Sequence, residues 1–397
     1  MLLILRQFAI RLRIILKWID RIVEKPLREA AATRPAVLLT GLRQSGKSSL
    51  LRKVFPDATY VTLDVLRYAE EAQNNPTRFL KALGPGPVIL DEIQYAPHLF
   101  RELKILIDED RTPGRWLLTG SQKLSLLEQA KESLAGRIAL LSLETLGAQE
   151  LQSLPPQERE ALVWKGGFPE TWSNPLKVEA FLEDYISTYL EKDVRSVLQT
   201  TNWRDFHRFL RVCALRAGQL INLSDMARDV GISPNTAKAW LSTLEVTGVI
   251  TLLEPLFANL SKRLAKTPKL YFNDQGLLNR LANRPLDDNS GATWENFVFN
   301  ELIRTPGVQA SRNLFFYRDQ NLVEIDFLIE TPTGTVLLEA KDSERPDARK
   351  LRFGSVAPLV STPKCFVACR VPEPGFFAGE GYDLFNPLLT PLVLFAP

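Results

Sequence analysis

Between about residue 19 and residue 150, short apolar runs alternate with stretches whose apolar residues recur at helical spacing. The runs read AVLL, YVTL, PVIL, RWLLT and IALLSL. Unbroken apolar runs of this length, each followed by a helical pattern, predict strands buried on both faces and therefore a parallel α/β sheet. The Pro- and charge-rich stretch LPPQERE then breaks the pattern, and a mostly helical segment of roughly 100 residues follows. Within it, FHRFLRVCALRAG, LSDMARDVG and SPNTAKAWLSTLEVTG predict three short helices, and VITLLEPL opens a hairpin. That is helix-turn-helix order with a wing. From about residue 290 the order becomes helix (TWENFVFNELI), strand (LFFYR), strand (EIDFLIE), turn (TPTG), strand (VLLEAK), helix and strand (CFVACR). This predicts a second α/β domain.

Composition adds bounds rather than direction. The chain has 397 residues, 45% hydrophobic and 24% charged, which suits two or three packed domains and excludes wholesale disorder. A net charge of +3 neither demands nor excludes nucleic acid, so any basic surface has to be local. Cys213, Cys365 and Cys369 cannot supply a disulfide framework, and Cys365 and Cys369 lack a second ligand pair for zinc. Buried thiols in a reducing cytoplasm are expected. In the N-terminal run MLLILRQFAIRLRIILKWIDRIV, Arg6, Arg11, Arg13 and Lys17 interrupt the apolar residues. The pattern argues against a signal peptide or a spanning helix and predicts an amphipathic helix packed on its own domain, with attachment to a membrane surface as the rival reading.

The chemistry begins at AVLLTGLRQSGKSSLLRKV, where a buried strand runs directly into Gly41-Leu42-Arg43-Gln44-Ser45-Gly46-Lys47-Ser48-Ser49 and a helical pattern follows. Strand, G-x-x-x-x-G-K-[ST] and helix together are the context of a phosphate-binding loop. Its glycines let backbone N–H groups turn inward around the phosphates of ATP, Lys47 reaches the outer phosphate oxygens, and the Ser48 hydroxyl takes Mg2+. PVILDEIQ then ends a strand in two carboxylates. Asp91 is placed to hold the hydrated magnesium opposite Ser48, and Glu92 to orient or deprotonate the attacking water. RWLLTGSQ offers Thr119, Ser121 and Gln122 near the γ-phosphate, and Ser121 is singled out. Arg137, in SLAGR, suits an arginine that stabilises transition-state charge from a neighbouring subunit, with a structural arginine as the alternative.

In the helix-turn-helix segment, Ser224 and Ser233 are expected to cap the second and third helices and Gly231 to supply the turn. Asn235, Thr236, Lys238 and Trp240 fall near the start of the recognition helix. Lys262, Arg263, Lys266 and Lys269 follow where a wing would run, placed to contact DNA phosphates. The alternative is the same fold used as a lid or protein contact. In the last domain Glu295 and Glu301 share one helix, Asp326 lies in EIDFLIE and Glu339-Ala-Lys341 ends a strand. The arrangement resembles the PD-(D/E)xK nuclease core, in which Asp326 and Glu339 hold a divalent metal, Glu295 completes its shell and Lys341 stands near the attacking water.

Seven ordered segments, TGLRQSGKSSLL, VILDEIQ, LLTGS, SLAGR, GGFPE (166–170), YLEKDVR (189–195) and EIDFLI (324–329), make the chain resemble a large group of prokaryotic AAA-type ATPases. The resemblance runs from about residue 19 to the end. It departs at Leu42 and Ser45, where Pro and Val are common, and at Lys192, where Arg is common. It implies a P-loop core over 19–155, a helical lid over 156–203, a winged helix over 204–285 and a restriction-endonuclease-like domain over 286–397, after the amphipathic helix that the residue pattern predicts over 1–18. Two functional expectations stay open. One is an ATPase that acts on DNA; the other is a nucleotide-dependent switch, homo-oligomeric or bound to a protein partner through an inactive C-terminal domain.

Overall fold

The computed structural model describes residues 18–120, 124–173, 178–190, 202–256, 267–285 and 290–392. The N-terminal helix expected over 1–18, and Ser121, Gln122, Lys192, Lys262, Arg263 and Lys266, lie outside the described residues, apart from Trp18. The chain divides into two compact units, one formed chiefly by Trp18–Glu144 and the other by the residues that follow.

In the first unit, helix α1 (Glu24–Thr33) leads into β1 (Ala36–Thr40), then α2 (Lys47–Val54) and β2 (Thr59–Thr62). Next come α3 (Leu66–Asn74), α4 (Pro76–Ala82), β3 (Val88–Asp91) and α5 (Leu99–Glu109). The unit closes with β4 (Trp116–Thr119), α6 (Leu124–Ser133) and β5 (Ile138–Ser142). The five strands are parallel, in the order β2-β3-β4-β1-β5. Alternation along the strands sorts the core into two layers. Ala36, Leu38, Val88, Leu90, Trp116 and Leu118 pack with Phe79, Phe100, Leu103 and Ile107 of α4 and α5. Val37, Leu39, Ile89 and Leu117 face the other way, against Leu27 of α1 and Leu50, Leu51 and Val54 of α2. Both faces are thus covered, which is why these strands read as unbroken apolar runs. Each such side chain contributes about 1.5–3 kcal/mol when fully buried. After β1 the chain crosses to the far edge of the sheet and later returns to place β4 and β5 on either side of β1. The carboxyl ends of β1, β3 and β4 therefore open onto one crevice at a topological switch point, where open α/β sheets bind ligands.

The second unit begins with short helices α7 (Pro156–Arg159), α8 (Leu162–Lys165), α9 (Pro169–Ser173) and α10 (Val178–Asp184). Then come α11 (Trp203–Leu215), α12 (Leu223–Val230), α13 (Pro234–Val246) and the antiparallel pair β6 (Ile250–Leu253) and β7 (Lys269–Phe272). Gly231 ends α12 in the left-handed conformation, as expected of the turn. The cap of α12 is Asn222, whose side chain accepts from the Asp225 N–H, rather than Ser224. Ser233 accepts from the Thr236 N–H at the start of α13.

Helices α14 (Gln275–Ala282) and α15 (Gly291–Arg304) connect this segment to a mixed sheet. Its strands are β8 (Leu314–Arg318), β9 (Glu324–Thr331), β10 (Gly334–Ala340), β11 (Pro363–Ala368), β12 (Phe377–Ala378) and β13 (Asp383–Phe385). The spatial order is β12-β13-β11-β10-β9-β8. β8, β9 and β10 run antiparallel, whereas β11 joins β10 in parallel. α15 packs against β10, and its buried Trp294 donates to the Ala368 carbonyl at 2.9 Å. Of the cysteines, Cys213 and Cys369 are buried and Cys365 is half-buried.

Candidate functional site

The loop between β1 and α2 has the backbone its glycines predict. Gly41 has φ +146°, and a Cβ there would stand 2.2 Å from the Leu143 carbonyl oxygen. Gly46 caps α2 in the left-handed region at φ 96°. Lys47 is buried, with its ammonium donating to the carbonyls of Gly41 at 3.1 Å and Leu42 at 2.9 Å. Leu42 and Ser45 are buried, Arg43 is half-buried, and Gln44 and Ser49 are exposed. Ser45 turns inward. Its carbonyl accepts from Arg21 at 2.8 Å, and the same guanidinium donates to the Glu144 carbonyl at 2.5 Å. Arg21 is itself buried, so it pins the loop to the segment that follows β5. Nothing local in the sequence marks it.

Asp91 ends β3 as a buried carboxylate on which three hydroxyls converge. Ser48 and Thr119 donate to its Oδ1, each at 2.5 Å, and Tyr60 of β2 donates to Oδ2 at 2.8 Å. Burial, followed by the hydrogen bond to Asp91 and its charge, pushes the Tyr60 phenol up to about 12, so it stays a donor at neutral pH. Glu92 leaves the strand in the left-handed region at φ 60°. Its N–H donates to Thr119 Oγ1 at 3.0 Å, and the Gln94 amide donates to its carboxylate. A non-glycine residue at positive φ is uncommon and strained; here it turns the carboxylate of Glu92 away from the strand line that Asp91 follows. Three of the predicted residues, Ser48, Asp91 and Thr119, are therefore in direct contact, with Lys47 and Glu92 next to them in the chain. Tyr60 and Gln94 were not legible as members.

Arg137 stands at the start of β5, where its carbonyl accepts from the Ala36 N–H. This is the amino end of the strands, opposite the loop. Its guanidinium makes two bonds to Asp108 of α5, at 2.7 and 2.9 Å. It does not reach the phosphate-binding loop of its own chain.

Three family models match the chain: an AAA domain over residues 33–152, and domains of unknown function over 157–288 (DUF8612) and 290–365 (DUF4143). An uncharacterised protein of Mycobacterium tuberculosis, Rv2008c, is 32% identical over 342 residues, covering 83% of this chain and 76% of that protein. An uncharacterised protein of Mycobacterium bovis, Mb2031c, matches to the same extent. The chain belongs to this family of AAA-type P-loop ATPases. A weaker similarity is to the Walker-type ATPase of Pyrococcus abyssi, with 18% identity and a TM-score of 0.45 over 66% of this chain and 96% of that one. Among the described residues of this ATPase, no helix is long and apolar enough to cross a membrane.

The two remaining candidate sites of the ATPase differ from expectation. On α13, Asn235 and Lys238 are exposed, but Trp240 is 3% exposed and packs edge-on against Phe206 and Phe209, at 5.3 and 5.6 Å between ring centres. It is a core residue; Ala237, Trp240, Leu241 and Leu244 form the apolar stripe of an amphipathic helix. Lys269, expected on a wing facing phosphate, is 2% exposed. Its ammonium lies 3.0 Å from Glu295, 2.6 Å from Glu324 and 4.0 Å from Asp326.

These carboxylates belong to the nuclease-like cluster. Asp326 on β9 and Glu339 on β10 stand on adjacent strands, and the Ala340 N–H donates to Asp326 Oδ2 at 2.9 Å. Lys341 bridges the pair, at 3.1 Å from Asp326 and 2.6 Å from Glu339. Glu295 of α15 accepts from Tyr271 at 2.5 Å as well as from Lys269. Glu301 belongs elsewhere, paired with Arg304 at 3.0 Å and accepting from the Ala148 N–H. Burial, then the charge of Asp326, pushes Glu339 up to about 8. Among the described residues, no group of three or more His, Cys, Asp or Glu is arranged to hold a metal ion. Lys341 thus stands between Asp326 and Glu339, and Lys269 lies between Glu295 and Asp326.

Proposed function

We propose that this ATPase hydrolyses ATP with magnesium at the P-loop, and that the nucleotide state switches its hold on a protein partner through the C-terminal domain. The observation that carries the catalytic half is the convergence of Ser48, Thr119 and Tyr60 on Asp91, one residue before Glu92. The donors around Asp91 are all hard oxygens, hydroxyl or carboxylate, which is the set magnesium takes. When bound through Ser48 and Asp91, the ion neutralises charge on the phosphate oxygens. The remaining work falls to the chain. Backbone N–H groups of 43–48 cradle the phosphates, and Lys47 turns from the Gly41 and Leu42 carbonyls to the outer phosphate oxygens. Thr119 fixes Asp91 and the Glu92 backbone together. Glu92 accepts the proton of the water that attacks the γ-phosphorus as the bond to the ADP oxygen breaks. Arg137, remote from its own loop, acts on the site of a neighbouring copy in a homo-oligomer, once released from Asp108.

The partner half is favoured over DNA because two of the side chains that argued for DNA, Trp240 and Lys269, are buried. A second reading, in which α12 and α13 form a winged helix that grips DNA, is supported by exposed Asn235 and Lys238 beside the Gly231 turn. Cleavage by Asp326, Glu339 and Lys341 is the least supported branch, since Lys341 already pairs with both carboxylates.

The test is ATPase turnover of the purified chain with magnesium, with and without DNA, beside Glu92→Gln and Lys47→Ala. Glu92→Gln is expected to keep nucleotide binding and lose about 100- to 10,000-fold in turnover; Lys47→Ala is expected to lose binding. Normal turnover in Glu92→Gln would overturn the catalytic assignment, and turnover stimulated by DNA would replace the partner reading with the DNA reading.

A further inference from the structure

We propose that the carboxylate cluster of the C-terminal sheet is an ion-pair lock in which Lys269 occupies the place of a divalent metal, so that the domain clamps β7 to β9 and α15 instead of cutting nucleic acid.

Among the described residues, Glu339 Oε1 is the one carboxylate oxygen of the cluster that is buried without a hydrogen-bond partner, and a single oxygen is far short of the six or so that a divalent ion of this kind takes. A divalent ion held by Asp326 and its neighbours would sit about 2.0–2.6 Å from their oxygens. Glu295 and Glu324 already converge on the Lys269 ammonium at 3.0 and 2.6 Å, and Asp326 stands 4.0 Å from it on one side while Lys341 approaches it at 3.1 Å on the other. An ion at that point would meet two ammonium groups at short range in a place where water does not screen them. The phenol of Tyr271 takes up Glu295 Oε1 as well, and Arg318 holds the second oxygen of Glu324 at 2.8 Å.

The lysine is also built to stay. It is 2% exposed on β7, a strand of the preceding hairpin, and burial would strip its charge were it alone. Three carboxylates hold it charged instead, so lysine and carboxylates each require the other. The geometry has a mechanical meaning. Lys269 and Tyr271 point to the same side of β7, as period-two alternation requires. Their partners lie on α15 and β9, so the hairpin after α13 is fixed to both by charge, and to α15 also by the Tyr271–Phe299 stack at 4.4 Å.

The experiment uses the full chain without nucleotide, with Mn2+ as the probe read by electron paramagnetic resonance, and thermal melting in EDTA and in Mn2+. The wild type is expected to show the same Mn2+ binding as Asp326→Asn, and the same melting temperature in EDTA and Mn2+. Glu295→Gln is expected to lower the melting temperature in EDTA by about 3–10 °C, because the buried ammonium keeps Glu324 and Asp326 but loses one of its three carboxylates. Lys269→Met, if it folds, is expected to gain a Mn2+ site that the wild type lacks. A wild-type Mn2+ site that disappears in Asp326→Asn, or Mn2+-dependent DNA cleavage lost in the same variant, would overturn the lock. Neither readout involves ATP, so this result stands or falls apart from the P-loop assignment.

Discussion

Replacing Arg21 with alanine tests whether the phosphate-binding loop is held from outside its own motif. The guanidinium bridges two backbone carbonyls, Ser45 in the loop and Glu144 after β5, which lie 24 and 123 residues away in the chain. A hydrogen bond from a charged donor is worth about 1.5–3 kcal/mol net. The bond to Ser45 is buried and counts in full, whereas the Glu144 carbonyl is only part-buried and recovers some of its loss from water. Arg21→Ala therefore costs about 3 kcal/mol in the first unit, or roughly 10 °C in melting temperature for a unit of this size. The Ser45 share reappears in ligand affinity, because a loosened loop must be ordered again on binding; that share corresponds to a roughly 10- to 100-fold weaker Kd for nucleotide. Differential scanning fluorimetry with and without ATP, and titration with a fluorescent ATP analogue, measure both quantities. Arg21→Lys, able to make one of the two bonds, is expected to fall between. A melting temperature lowered alone, with wild-type affinity, would refute the anchoring of the loop; no change in either would refute the energetic account.

Two other perturbations test the loop and a buried lysine of the second unit. Gly41→Ala combines about 1–3 kcal/mol of backbone strain with a Cβ driven onto the Leu143 carbonyl; its expected result is loss of ATP binding in a fluorescence titration, and wild-type affinity would show that β1 and the end of β5 do not approach so closely. Lys165 is buried over the face of Trp172, and burial pushes its ammonium down to about 8. A lysine pKa depressed by folding penalises the native state below the folded value, and the penalty fades as pH rises toward the unfolded value near 10.5. Lys165→Met is thus expected to melt higher than the wild type at pH 7, by up to about 3 kcal/mol less the cation–π contact it gives up, with the gap closing by pH 10. A gap that widens with pH would contradict the sign.

The sequence showed most where physics acts locally. Apolar strand runs, the glycine spacing of the loop and the Gly231 turn each bias the few residues around them, and the five parallel strands, the P-loop and the helical order after residue 202 follow from such signals. Trp240 is also readable as core, since its spacing from Ala237 and Leu244 is that of a buried stripe, and that spacing outweighs its place near the start of a helix. Lys269 was not readable. Its partners Glu295, Glu324 and Asp326 lie on another helix and another strand, and a lone lysine in a basic stretch carries no mark of the carboxylates folding will bring to it. Arg21, Tyr60 and Gln94 were missed for a similar reason: each is defined by what it touches across the sheet or a turn. Asn222 displaced Ser224 as the cap of α12 by two residues, within the uncertainty of any boundary drawn from pattern alone.

The place of β1 in its sheet has a consequence for how the protein is made. Its neighbours are β4 and β5, and the loop that follows it rests on the backbone of Leu143 and, through Arg21, on Glu144. A nascent chain that has emerged only as far as Ser48 carries the whole motif and Arg21, but neither Leu143 nor Glu144 to hold them against. At about 5–20 residues per second, translation separates Ser48 from Glu144 by roughly 5–20 s. During that interval ATP has no finished cradle to select, so the nucleotide that stabilises the completed unit gives the growing chain no help in reaching it.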